Sequence, residues 1–300
     1  MNNILDLTYH YILSDEKDKI ITLWENNKET YISLEDFYQF IERFSISQRN
    51  MVSNCINING TGASPCLLPN LSSLTALYAS QISKQNFVKT GSGANTGIHG
   101  SSDFFRDIGL LNLDSQSILD EYHFLYYDYL ILSPWKKYKP VMAQNKYLGD
   151  YFKQVFFFDY PSKYYFLGLN SVHFYDSFTR GWELYNRPEH LVIYYTNQND
   201  KIYDEVYSGV VHVDNKPYFT LPDHNNKTPV SASTIHKINA GLVDGSEDSD
   251  WKMYLGYSVA LVLEQMNHVQ SIDEGYELFE KCYRDKVVKK MITKILSLKK

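Results

Sequence analysis

Three stretches of this chain gather residues able to do chemistry, and each points toward phosphate-like anions or hard cations. Gly60-Thr61-Gly62-Ala63-Ser64 follows a short alternating apolar segment. Its glycines let the backbone turn sharply, and amide N–H groups in such a turn can surround phosphate oxygens. An ordinary strand-to-helix turn fits the same residues. Asn70, Ser72 and Ser73 stand where a helical pattern begins. They serve there either as caps or as an anion site built from hydroxyls and free amides. The run from Lys89 to Asp103 carries four glycines among fifteen residues, a composition costly in backbone entropy for a routine connection. Lys89 would neutralise a phosphate, while Ser92, Thr96 and Ser101 would hydrogen-bond its oxygens or a sugar. An irregular structural loop is the alternative. Finally, Asp204 and Glu205 are adjacent carboxylates. Such a pair either binds a divalent cation, with waters and substrate phosphates completing the shell, or is simply two surface acids.

Other chemistries lack support. The glycines fit neither G-x-G-x-x-G nor G-x-x-x-x-G-K-[ST], and no serine lies in G-x-S-x-G. Cys55, Cys66 and Cys282 form no C-x-x-C pair, which fits a reducing compartment and gives no sign of an activated thiol. His99 sits in the second loop without a partnered histidine that would mark a metal role.

The elements that must position these loops read as follows. Residues 1–50 are short helices; Ser33 caps one whose Phe37, Phe40, Ile41 and Phe44 form an apolar face, with Asp36 in place of the usual capping-box Glu. So short a helix must dock that stripe on the rest of the chain or on another subunit. Two strand, loop, helix units then follow, one through Gly60 and one through Lys89, implying parallel strands with both loops on one sheet edge. Residues 113–128 read as a further helix and YDYLIL as a buried strand. The segment from Pro134 to Phe158 reads as loop and helix returning to the helical domain. Strands resume at YYFLGLNSV and HLVIYYTN, and VYSGVVHVDNKPYFTLP reads as two strands around Asp214-Asn215. The remainder is helical, ending in one long helix after Asp273.

The 29 basic and 35 acidic side chains give a net charge of −6, with signs mixed along the chain, so there is no global basis for nucleic-acid binding. The terminal KKMITKILSLKK reads as the wet side of a helix whose Val287, Val288, Met291, Ile292, Ile295 and Leu296 recur at helical spacing, with a partner or membrane contact as the alternative. No membrane span or secretory leader is expected, and the protein is placed in the cytoplasm.

Taken in order and spacing, the three stretches resemble the anthranilate phosphoribosyltransferase family. Its GTGGD and N-x-S-T patterns fall on Gly60–Ser64 and Asn70–Ser73, its KHGNR and SGSAD patterns on Lys89–Asp103 at the same length, and its Asp-Glu metal pair on Asp204-Glu205. The resemblance implies a small all-helical domain, residues 1–50 completed by about 136–158, beside a larger α/β domain, residues 51–135 and 159–300, with a central mostly parallel sheet. It implies a homodimer joined through the helical parts, and phosphoribosyl pyrophosphate and a small-molecule acceptor as partners. Gly60, Thr61, Gly62, Asn70, Ser72, Ser73 and Lys89 would hold the donor's phosphates. Ser72, Asp204 and Glu205 would hold magnesium, and Lys89, Asp204 and Glu205 would carry catalysis. The departures are Ala63, Ser64, Thr90, Ser92 and Gly93. The family arginine that orients the anthranilate carboxylate falls on Asn145, with Lys146 a substitute that lacks bidentate geometry. A non-anthranilate acceptor follows. Related alternatives are a pyrimidine nucleoside phosphorylase-like enzyme, which would not need the acidic pair, and a non-catalytic nucleotide- or partner-binding protein.

Overall fold

The computed structural model describes residues 3–45, 55–61, 66–91, 100–111, 113, 116–128, 134–152, 162–184, 190–222 and 231–298. Gly62, Ser92, Thr96 and His99 lie outside them. In chain order, helices α1 (Asn3–Leu13), α2 (Lys17–Glu25) and α3 (Leu34–Ser45) precede strand β1 (Cys55–Gly60), α4 (Leu71–Ser83), β2 (Phe87–Gly91), α5 (Ser101–Asp107), α6 (Gln116–Tyr122) and β3 (Phe124–Asp128). Next come α7 (Lys139–Met142), α8 (Leu148–Tyr151), β4 (Ser162–Gly168), α9 (Tyr175–Leu184) and β5 (His190–Gln198). The chain closes with β6 (Lys201–Tyr203), β7 (Gly209–Val213), β8 (Lys216–Leu221), α10 (Ala232–Asp244), α11 (Asp250–Gln265), α12 (Ile272–Arg284) and α13 (Val287–Leu298). Two compact units emerge: residues 1–53, 129–161 and 176–188 in one, and 54–128, 162–175 and 189–300 in the other.

The first unit is helical. Ser33 Oγ accepts from the Asp36 amide at 3.0 Å and donates to the Asp36 carboxylate at 2.9 Å, a cap that starts α3. The Phe37, Phe40, Ile41 and Phe44 stripe is buried within this unit, with Trp135, Tyr138, Met142, Leu148 and Phe152 in the same core. Phe37 meets Phe152 edge-on at 5.1 Å. The stripe is therefore covered by its own chain, and the opening it offered for a second copy is closed.

The second unit is built on an eight-stranded sheet in the order β3-β2-β1-β4-β5-β7-β8, with β6 pairing β5. The strands β1 to β5 are mutually parallel, and β6, β7 and β8 are antiparallel additions. Aligned β1 and β2 place both candidate loops on one edge, as parallel pairing requires. Asp214 and Asn215, both at positive φ, make the two-residue β7–β8 turn. Helix α4 is buried from Leu71 through Gln81. Its polar positions are satisfied there: Thr75 donates to Ser258 at 2.8 Å, Tyr78 to the Leu242 carbonyl at 2.7 Å and Gln81 to the Tyr122 carbonyl at 2.7 Å.

Two expectations need correction. Residues 113–128 are not one helix: α6 stops at Tyr122, His123 takes a left-handed conformation (φ 61), and Phe124–Asp128 pairs with β2 along its whole length. Tyr127 and Asp128, the start of YDYLIL, are strand as expected, and 129–132 lie outside the described residues. Nor is there one long last helix; Lys286 at φ 53 separates α12 from α13. Val288, Met291, Ile292 and Ile295 are buried on α13, as their spacing predicts.

Candidate active site

β1 and β4 end together, with Gly60 opposite Gly168 and Gly168 opposite Tyr194 of β5. Strand β5 runs past this level to Gln198, and β6 folds back on the overhang through Asn199 and Asp200, both at positive φ. The returning chain lays Asp204 across the ends of β1 and β4. A Cβ on Gly168 would stand 1.9 Å from the Asp204 carbonyl oxygen, and a Cβ on Gly60 would stand 2.5 Å from its carboxylate Oδ2. Two register-matched glycines therefore open the slot that Asp204 fills. Gly60 acts here by lacking a side chain. Thr61 latches the same edge: its amide donates to the Gly168 carbonyl at 3.0 Å and its hydroxyl accepts from the Asn170 amide at 2.9 Å.

Asp204, Glu205 and Lys89 are 4 %, 9 % and 2 % exposed, so the acids are not a surface pair. The amide and hydroxyl of Ser72 face Glu205 and pull its carboxyl down, which brings α4's first turn to the acidic pair. Glu205 Oε2 is nevertheless buried without a hydrogen-bond partner. Burial pushes the Glu205 carboxyl up to about 8, and the neighbouring Asp204 charge adds to that, against the opposing pull of Lys89 and Ser72. Burial drives the Lys89 ammonium down, with Glu205 and then Asp204 opposing. The Tyr194 phenol is raised by burial and then by both carboxylates. Lys89 Nζ also lies 3.3 Å from the carboxamide of Asn59, which in turn meets the Thr90 hydroxyl at 3.1 Å.

The two loops' helices meet at their first turns. The Ser73 hydroxyl donates to that of Ser101 at 3.3 Å, and Ser102 shares a 2.7 Å hydrogen bond with the Tyr126 hydroxyl. Asp103 accepts from the Gly100 amide at 3.0 Å and pairs with Arg106 at 2.8 Å, closing the start of α5. Asn70 does occupy the N-cap position of α4, yet its side chain makes no capping bond. Asn239 of α10 holds it: Asn239 Nδ2 donates to Asn70 Oδ1 at 2.8 Å, and Asn239 Oδ1 accepts from the Asn70 amide at 3.0 Å. Of the expected site residues, Ser72, Lys89, Asp204 and Glu205 converge, with Gly60 against Asp204 and Ser73 against Ser101. Sequence reasoning missed Asn59, Gly168, Tyr194 and Asn239. Only Gly168 left a trace, as a glycine at the end of a strand pattern.

Asn145, matched to the acceptor-orienting arginine, has another role. Fully buried in the helical unit, it donates to the carbonyls of Asn27 at 2.8 Å and Thr30 at 2.9 Å. It also accepts from the amides of Tyr147 at 3.0 Å and Leu148 at 3.3 Å. Its hydrogen-bonding capacity is used up in fastening chain segments. Lys146 pairs with Glu29 at 2.6 Å.

Among the described residues no group of three or more His, Cys, Asp or Glu side chains could hold a metal, and no helix is long and apolar enough to cross a membrane. A divalent ion would therefore take two carboxylates and a hydroxyl from the protein and further oxygens from water or substrate. That is an ordinary division of ligands for a hard cation bound beside phosphates. The orphaned Glu205 Oε2 fits such an ion, whose charge would favour the ionised form of both buried carboxyls.

No family profile and no curated protein sequence matches the chain. Solved structures do. Anthranilate phosphoribosyltransferase from Thermus thermophilus superposes with a TM-score of 0.72 at 14% identity, over 98% of this chain and 94% of that one. The Saccharomyces cerevisiae enzyme in complex with PRPP and Mg gives 0.67 at 17% identity, over 87% and 77%. The same yeast enzyme with 4-fluoroanthranilate gives 0.68 at 14% identity, over 97% and 90%. The fold is thus an α/β fold with a mostly parallel sheet and accompanying helices. More particularly, it is the fold of the anthranilate phosphoribosyltransferases.

Proposed function

We propose that the chain is a magnesium-dependent phosphoribosyltransferase-like enzyme, which moves a ribosyl phosphate from phosphoribosyl pyrophosphate to a small acceptor other than anthranilate. The observation that carries this reading is the buried meeting of Ser72, Asp204 and Glu205, with Glu205 Oε2 left unpartnered, beside Lys89 at the sheet edge where both glycine loops emerge. A yeast relative of this fold was solved with PRPP and Mg.

Ser72, Asp204 and Glu205 would hold the ion. Bound there, magnesium supplies a centre of positive charge for the oxygens of the departing pyrophosphate. The chain's own residues do the rest by position and charge. Lys89, kept short of water, presents an ammonium where a phosphate charge is neutralised most strongly. Gly60, Thr61, Gly62, Ser73, Ser92, Thr96 and Ser101 would line the donor's phosphates and sugar, with Asn70 held by Asn239 at the start of α4, which fixes the anomeric carbon relative to the acceptor. The bond from that carbon to the pyrophosphate oxygen breaks as the bond to the acceptor nucleophile forms. The acceptor assignment rests on Asn145: a carboxamide saturated by four backbone groups has nothing left with which to orient a carboxylate.

Calorimetric titration of phosphoribosyl pyrophosphate, with and without Mg²⁺, tests the reading on wild type and on an Asp204→Ala/Glu205→Ala variant. Magnesium-dependent binding that the variant loses is the expected result. Absence of wild-type binding would sink the donor assignment.

A further inference from the structure

An asparagine at the first position of a helix ordinarily turns its side-chain oxygen onto the amides two or three residues on, satisfying donors that the helix cannot. Asn70 occupies that position ahead of α4 and makes no such bond. Its amide and its side-chain oxygen are both engaged by Asn239, at 3.0 and 2.8 Å, from 169 residues away in sequence. Asn239 is 3 % exposed and Asn70 is partly buried, so the clasp is sheltered on the Asn239 side. The residues whose amides Asn70 would otherwise cap are Ser72 and Ser73, the first facing Glu205 and the second with its hydroxyl on Ser101. Helix α10 also reaches the other loop's helix, where His236 Nδ1 lies 2.8 Å from the Asp107 carboxylate.

We propose that Asn239 is a positioning residue for donor binding: by clasping Asn70 it prevents that side chain from capping α4, and so keeps the Ser73 amide presented to a phosphate. The ligand chemistry rests on the proposed function above; the clasp itself does not. An anion at a helix N-terminus is stabilised by amides that no protein acceptor has claimed. A side chain that withholds the natural cap therefore serves the site at the expense of the helix.

Two measurements on the full chain separate these claims. Hydrogen exchange of the Ser73 amide, read in the ligand-free protein, is expected to slow at least threefold in Asn239→Leu, because the released Asn70 swings onto it. Adding Asn70→Ala should restore the wild-type exchange rate, a reversal that a merely structural role for Asn239 would not produce. Titration with pyrophosphate in the presence of Mg²⁺ should give about tenfold weaker binding for Asn239→Leu, partly recovered in the double variant. If the leucine variant does not fold, Asn239→Ser, too short to reach Asn70, supplies the same readings. Unchanged or faster Ser73 exchange in the single variant, or no reversal in the double, overturns the role of Asn239. Pyrophosphate that fails to bind wild type overturns the donor reading instead, and leaves the exchange result to decide the clasp.

Discussion

Two buried polar centres in this protein obey opposite rules. In the helical unit, Asn145 commits its carboxamide to four backbone groups and leaves nothing unsatisfied. In the α/β unit, Glu205 keeps one oxygen without a partner beside a second carboxylate, in a place where burial drives its carboxyl up to about 8. A fold gains from the first arrangement and loses by the second. Buried polar groups that are fully bonded fasten structure, while a carboxylate oxygen held short of partners keeps bonding capacity in reserve.

The comparison breaks if substitutions at the two centres act alike. Asn145→Ala should destabilise by about 2–3 kcal/mol, since it takes their partner from two carbonyls and two amides gathered round a fully buried side chain. Thermal unfolding reads this, and pyrophosphate affinity should not move with it. Gly168→Ala should cost about 2–3 kcal/mol because its methyl lands on the Asp204 backbone. Unlike the first change, it should abolish Mg²⁺ binding measured by calorimetry; a variant that still binds Mg²⁺ would deny the glycine slot its role.

Glu205→Gln should act in the opposite sense, raising stability by about 1–2 kcal/mol at pH 8.5 while Mg²⁺ binding is lost. The sign follows from linkage. A carboxyl whose folded pKa is raised is held protonated by the fold, so its contribution is present below its ordinary 4.5 and is lost as pH climbs through about 8. The advantage of glutamine should therefore vanish near pH 4.5, grow between these values and level off above them. Unfolding midpoints across that range check it, and a pH-independent difference would contradict the burial of this acid. Smallest is Ser33→Ala, which removes the α3 cap and should cost about 1 kcal/mol with no effect on any ligand.

Local features were legible where local physics decides. The Ser33 cap, the Asp214-Asn215 turn and the apolar stripe of α13 depend on residues a few positions apart, and all stand as the sequence predicts. The misreadings came where neighbours in space outvote neighbours in sequence. Residues 124–128 join the sheet edge beside β2, and Lys286 takes a left-handed turn between α12 and α13. In the candidate site, residue types pointed to Lys89, Asp204 and Glu205, but the same types also fit exposed acids and an irregular loop. Asn239 and Asn59 carried no signal, because an asparagine in a helix or strand pattern looks like any polar position.

By itself, then, the amino-acid sequence determined which groups are available and where chain turns and helix starts must fall, since these follow from backbone sterics and short-range hydrogen bonds. Only the tertiary structure decided which of those groups lose their water. Parallel pairing brought Gly60 level with Gly168, the β5–β6 fold-back laid Asp204 into the gap, and α10 carried Asn239 to Asn70. Electrostatic strength and hydrogen-bond satisfaction depend on burial and on partners far apart in the chain, and neither exists until the chain has closed on itself.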